Sequence, residues 1–140
     1  MKHVFLDTNI LMDILANRQP FYMSSSEIYK LGLRKQIFFY TSSNTISTLH
    51  YLLKKFIDED SIRKSLNEIT DVISIIPVDI NIIKKSLKSI HKDFEDAIQI
   101  ASAQSINEMY CIVTRDLKDF KNSEINVLTP DEFLTQLKIQ

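Results

Sequence analysis

The sequence predicts an α/β fold: a three-layer α/β/α sandwich on a mainly parallel sheet of about five strands. Two observations carry this reading. Short apolar runs rich in β-branched and aromatic residues recur without in/out alternation, as in parallel strands covered on both faces. Between them lie stretches with apolar residues at helical spacing, and strands alternating with helices build a parallel sheet between helical layers. The length of 140 residues fits one domain over 1–140.

The first run is His3–Leu6, and Ile10, Leu11, Ile14 and Leu15 make a helix directly after it. Gln19-Pro20 breaks the chain before a second helix over Glu27–Leu33. Ile37–Tyr40 is the second strand. Ile46, Leu49, Leu53 and Phe56 then recur on one helix face, with Lys54 and Lys55 turned elsewhere. A more polar helix over Asp58–Thr70 leads to the third strand, Val72–Ile76, which Pro77 stops. Ile80, Ile83, Leu87 and Ile90 form the next apolar stripe, while Lys84, Lys88 and Lys92 form an i, i+4 stripe on another face. Phe94, Ala97, Ile98, Ala101 and Ser105 give a helix whose small residues permit close packing. Tyr110–Val113 is the fourth strand and Ile125–Leu128 a weaker fifth. Thr129-Pro130-Asp131-Glu132 opens the last helix, with a capping threonine, proline at the first helical position and acids in the first turn.

Composition removes several classes of function. The lone glycine, Gly32, cannot supply a dinucleotide fingerprint or a P-loop, which need several positions without a Cβ. The lone cysteine, Cys111, forbids an intramolecular disulfide and a CxxC metal or redox site. His3, His50 and His91 are too scattered for a zinc cluster. No apolar run reaches the ~18 residues of a membrane span, and the start lacks the apolar region of a signal peptide, so a cytoplasmic protein is expected. Seventeen Lys+Arg against eighteen Asp+Glu leave a net charge of -1, which excludes a generally basic coat but not a local basic patch.

Ligands of open parallel sheets bind beyond the carboxyl ends of the strands. Asp7-Thr8-Asn9 follows the first strand and Thr114-Arg115-Asp116 the fourth, and Asp93-Phe94-Glu95-Asp96 opens the helix leading into that fourth strand. Taken singly, each acid has a structural reading as a helix cap, a dipole partner or a loop residue. Together they suggest carboxylates converging on one cleft, whose mutual repulsion a hard divalent cation relieves. Asp7, Asp96 and Asp116 suit that role if the fold brings them together. Arg115 and Lys118, beside these acids, are candidates to meet a polyanionic substrate at the rim, as are Lys54, Lys55, Lys84, Lys85, Lys88 and Lys92.

These segments resemble the PIN domain family, in particular its VapC-like toxin ribonucleases. The matching pieces are Val4–Asp13, Asp93–Gln99, Ile112–Phe120 and the tail Asn122–Leu134, so the ordered set covers the chain. The resemblance implies a metal-dependent endoribonuclease, the toxin of a type II toxin–antitoxin pair, using Mg²⁺ or Mn²⁺. It places the catalytic and metal-holding acids at Asp7, Asp96 and Asp116. It makes Thr114 a supporting hydroxyl and Asn9 an amide that orients Asp7. It also implies an antitoxin partner, an RNA substrate and a homodimer, for which the apolar residues Leu11, Leu15, Phe21, Tyr22, Ile28 and Tyr29 are candidates. One departure stands out. The family usually carries a glutamate on the helix after strand two, and Thr41–Tyr51 contains no acid. Asn44 or Thr48 falls near that position, and Glu95 is a possible substitute carboxylate. The departure motivates a rival reading, a PIN-fold chain that binds RNA or a protein without cutting. A phospho-acceptor domain is disfavoured, because Thr41-Ser42-Ser43 follows the second strand where an acceptor Asp would be needed.

Overall fold

The computed structural model describes residues 1–139. Strand β1 (His3–Leu6) runs into helix α1 (Thr8–Leu15), and α2 (Tyr22–Leu33) precedes β2 (Phe38–Ser42). Helices α3 (Ser43–Leu53) and α4 (Glu59–Val72) lead to β3 (Ile73–Ile76). Then come α5 (Ile80–Leu87), α6 (Phe94–Gln104), β4 (Met109–Val113), a 3₁₀ turn at Leu117–Phe120, β5 (Val127–Leu128) and α7 (Pro130–Ile139). The strand order is β3-β2-β1-β4-β5, and every neighbouring pair is parallel.

Residue alternation along β1 divides the core between two layers. Val4 and Leu6 join Phe39, Cys111 and Val113 against the face covered by α1, α2, α3, α4 and α7. Phe5 and Ile112 join the opposite face, covered by α5 and α6. The fully apolar strand runs are thus buried on both sides, as the lack of alternation predicts. Gly32 permits the close approach of α2 to the sheet: a Cβ there would stand 2.9 Å from Cδ2 of Phe39.

Local signals set the helix starts. Asp58 and Asp79 cap α4 and α5 by accepting the N–H of Ser61 and Ile82. Thr129 and Glu132 form a reciprocal capping box at α7: Glu132 Oε1 accepts the Thr129 N–H at 2.9 Å, and Thr129 Oγ1 accepts the Glu132 N–H at 3.2 Å.

Three expectations are corrected. Of the stripe Ile80, Ile83, Leu87 and Ile90, Ile83 is half-buried and the other three are exposed, while Ile82 and Ser86 face the core. Helix α5 ends before Ile90 and packs on α6, with Ile82 in the shared core and Ser86 buried, its hydroxyl satisfied by the Ile82 carbonyl at 2.8 Å. Phe56 lies past the end of α3 and is exposed. Leu11 and Ile28, proposed for a dimer contact, are fully buried in the core beneath the sheet-facing sides of α1 and α2. Among the described residues no helix is long and apolar enough to cross a membrane.

Candidate active site

The carboxyl ends of the two inner strands are tied together one residue beyond the ladder. Leu6 pairs with Val113, and the Asp7 N–H donates to the Val113 carbonyl at 3.0 Å. Thr114 therefore stands beside Asp7, and its Oγ1 donates to Asp7 Oδ2 at 2.8 Å. Helices α1, α3 and α6 begin at this end of the sheet, capped by Asp7, Ser42 and Asp93. Their amino-terminal dipole ends favour negative charge there.

A cavity of about 240 Å³ opens between these helix starts. Its wall includes Asp7, Asn9, Asn44, Thr48, Glu95, Asp96, Gln99 and Asp116, with Arg18 at one side. Asp7, Asp96 and Asp116, more than a hundred residues apart at the extremes, thus meet in one place, with Glu95 on the same wall. Helix α3 contributes only neutral groups, and Thr48 Oγ1 turns back to the Asn44 carbonyl at 3.0 Å. The carboxylates line an open space without closing on a point. Among the described residues no three acidic, histidine or cysteine side chains stand close enough to form a finished metal cage.

Electrostatics reflects the crowding. Burial raises the Asp7 carboxyl above its ordinary value, opposed by hydrogen bonds from Thr114, Gln99 and the Thr8 amide. Asp96 is pushed up to about 7 by burial and then by the surrounding acids Asp93, Asp119, Asp7 and Asp116. Asp7 and Asp96 are thus costly to ionise, chiefly because they are buried, and a cation beside them would reverse that.

A family model described as PIN domain matches residues 3–118. The chain belongs to the PIN domain family. A curated relative, Ribonuclease VapC1 of Aquifex aeolicus (strain VF5), is 29% identical over 135 residues, covering 93% of this chain and 92% of that protein. A solved toxin–antitoxin complex from Klebsiella pneumoniae is similar at a TM-score of 0.65 and 27% identity, over 91% of this chain and 97% of that one. VapBC-1 from nontypeable Haemophilus influenzae shares the fold at a TM-score of 0.67 and 15% identity, over 92% of this chain and 98% of that one.

Several expected PIN positions take different roles from those anticipated. The Asn9 amide does not reach Asp7. It spans to Thr114 Oγ1 at 3.3 Å and Asp116 Oδ2 at 3.4 Å. Thr114 does touch Asp7, and also accepts the Asp116 N–H at 3.2 Å, so one buried hydroxyl links two of the three acids. Arg115 does not extend from the rim. Its Nε and Nη2 donate to Asp13 at 2.6 and 3.2 Å, and its guanidinium lies 3.8 Å over the Phe21 ring. The reason is Asp13, fully buried on α1, whose charge requires a cationic partner. Lys118 is exposed on the 3₁₀ turn and takes no part in the cavity wall. His3 is bonded to the Tyr40 hydroxyl and His50 to Glu59, and neither lines the cavity.

Three residues of the site escape the sequence reading. Gln99 is buried against Asp7; Asp13 organises the Arg115 loop; Arg18 forms an ion pair with Asp13 at 3.0 Å and supplies the cation on the cavity wall. Gln99 belongs to the matching Asp93–Gln99 segment, which is the one signal that pointed toward it.

Proposed function

We propose that this chain, as one domain over 1–140, is a divalent-metal-dependent endoribonuclease and the toxin of a toxin–antitoxin pair. The observation that carries the reading is the convergence of Asp7, Asp96 and Asp116 on one polar cavity of a PIN domain. RNA as substrate is supported by the ribonuclease name of a relative matched over nearly the full length of both chains. An antitoxin partner is supported by the Klebsiella pneumoniae complex.

The donor set fits Mg²⁺ or Mn²⁺. It consists of carboxylate oxygens on an open wall, the hard ligands such ions take while keeping several waters. Burial first, and neighbouring acids after it, hold the Asp7 and Asp96 carboxyls up, and a bound cation offsets both. Asp7, Asp96 and Asp116 would hold it, with Glu95 as a further oxygen at the edge. When bound, the cation supplies an activated water and offsets charge on the phosphodiester. The chain's own residues do the rest. Thr114 and the Thr8 amide fix the Asp7 carboxylate. The Asn9 amide holds Asp116. The three helix N-termini favour an anionic phosphate in the cavity. Arg18 on the wall and Lys118 outside it offer phosphate contacts that carry no sequence information. A homodimer contact would draw on Leu15, Phe21, Tyr22 and Tyr29, which keep exposed or partly exposed surface, whereas Leu11 and Ile28 are core residues.

The test is RNA degradation by wild type and Asp7→Asn with Mg²⁺, Mn²⁺ or a chelator. We expect cleavage by wild type with cation alone. Equal inertness of both proteins on several RNAs, or cleavage undiminished by chelator, would overturn the reading.

A further inference from the structure

Gln99 is the one long polar side chain on the buried face of α6, where its neighbours are Ala97, Ile98, Ile100 and Ala101. Its amide is fully engaged. Oε1 accepts the Ser42 hydroxyl at 2.5 Å. Nε2 stands 2.8 Å from Thr45 Oγ1, 3.2 Å from Asp7 Oδ1 and 3.4 Å from Thr8 Oγ1. The Asp7 contact settles which way the amide faces: turned over, the carbonyl would stand against a carboxylate, whereas the Ser42 hydroxyl can donate or accept. The N–H groups are therefore held toward Asp7.

The Asp7 carboxylate offers about four acceptor positions. Oδ1 receives the Thr8 N–H at 2.8 Å and the Gln99 amide, and Oδ2 receives Thr114. One position, on Oδ2, is left. The side of Asp7 toward α3, where this chain has no acid, is closed by the neutral belt of Ser42, Gln99 and Thr45.

We propose that Gln99 is a positioning residue for Asp7: its amide occupies Oδ1 and holds the carboxylate so that Oδ2 alone is offered to a cation. This rests on the metal-dependent reading above. A group of this kind, donating to a metal-holding carboxylate from behind, typically changes metal affinity by roughly 10–100-fold when removed.

The experiment is calorimetric titration of the full chain with Mn²⁺ alone, without RNA, at a temperature where each variant is folded. The variants are wild type, Asp7→Asn, Gln99→Met and Ser42→Ala. Gln99→Met keeps the length of the side chain and removes both hydrogen-bonding ends. It is expected to weaken Mn²⁺ binding by roughly 10–100-fold. A purely structural role would lower the thermal midpoint of the metal-free protein and leave the affinity of the folded form where it was, which would overturn the proposal. If Gln99→Met does not fold, Ser42→Ala carries the test, because it removes the hydrogen bond that anchors the far end of the amide without touching Asp7. Weaker Mn²⁺ binding is then expected, and unchanged binding overturns the proposal. Failure of wild type to bind Mn²⁺, or full binding by Asp7→Asn, would instead overturn the metal reading itself, and the proposal with it.

Discussion

Asp13→Asn is the substitution whose cost follows most directly from the structure. Asp13 is fully buried, accepts two hydrogen bonds from Arg115 and forms an ion pair with Arg18. Removing one partner of a buried ion pair costs about 3–5 kcal/mol, because the other charge is left unpaired. Here the arginine side chains are 24% and 42% exposed, so water recovers part of that loss and about 2–3 kcal/mol is expected. Unfolding entropy is about 2.1 cal/mol/K per residue, close to 0.3 kcal/mol/K for a chain this long, so the thermal midpoint should fall by roughly 7–10 °C. The assay is thermal and urea unfolding of Asp13→Asn, Arg115→Met and the double variant. The cycle should show a coupling above about 1 kcal/mol, as expected for residues in direct contact. Arg18→Ala, which breaks a pair half open to solvent, should cost no more than about 1 kcal/mol. A midpoint lowered by under about 2 °C in Asp13→Asn, or strict additivity with Arg115→Met, would refute the reasoning. Since Arg115 lies between Thr114 and Asp116, Asp13→Asn should also reduce any nuclease activity at temperatures where the protein remains folded.

Other outcomes follow from the same structure. Asp96 holds its proton up to about pH 7 when folded but gives it up near its ordinary 3.8 when unfolded. The unfolded state then binds fewer protons across that interval, so its contribution favours folding at low pH and is lost as pH rises from about 4 to about 7. Urea midpoints of metal-free protein should decline more steeply across this window in wild type than in Asp96→Asn, and identical slopes would contradict the assignment. Gly32→Ala gains helix propensity of about 1 kcal/mol but drives a methyl to 2.9 Å from the buried Phe39 ring. Overpacking of about 1–3 kcal/mol should leave the variant less stable, and a raised melting temperature would show that α2 can shift away from the sheet. Leu87→Ser and Ile90→Ser should change unfolding free energy by under about 0.5 kcal/mol, because both side chains are exposed. A loss above about 2 kcal/mol would mean that something covers this surface in solution.

Much of the architecture was legible because it depends on local pattern. Apolar runs without alternation located every strand to within a few residues, and β1 at His3–Leu6 coincides with its run. The acids were legible because parallel topology forces strand ends to one edge, so Asp7 and Asp116 could be paired without knowing any distance. What could not be read depends on partners remote in sequence. Asp13 looks like an ordinary polar residue on a helix until Arg115, 102 positions later, is placed against it. Gln99 is an amide among alanines until Ser42 and Asp7 surround it. On α5, helical periodicity found a stripe, but eight residues admit more than one apolar face. The choice of Ile82 and Ser86 was made by contact with α6.

The place of β1 and β4 in the sheet has a further consequence. They are inner strands, flanked by β2 and β5, while the edges are formed by four-residue β3 and two-residue β5. Local opening starts where few contacts hold, at borders and loops, and reaches the centre only with global unfolding. The floor under Asp7 should therefore be among the slowest parts of the molecule to exchange its amide hydrogens, and the Arg115 loop is tied to α1 above it through Asp13. An inhibitor of this protein gains nothing by prying at the sheet. It has to work as a stopper seated in the mouth of the cavity, shaped to walls that are already set.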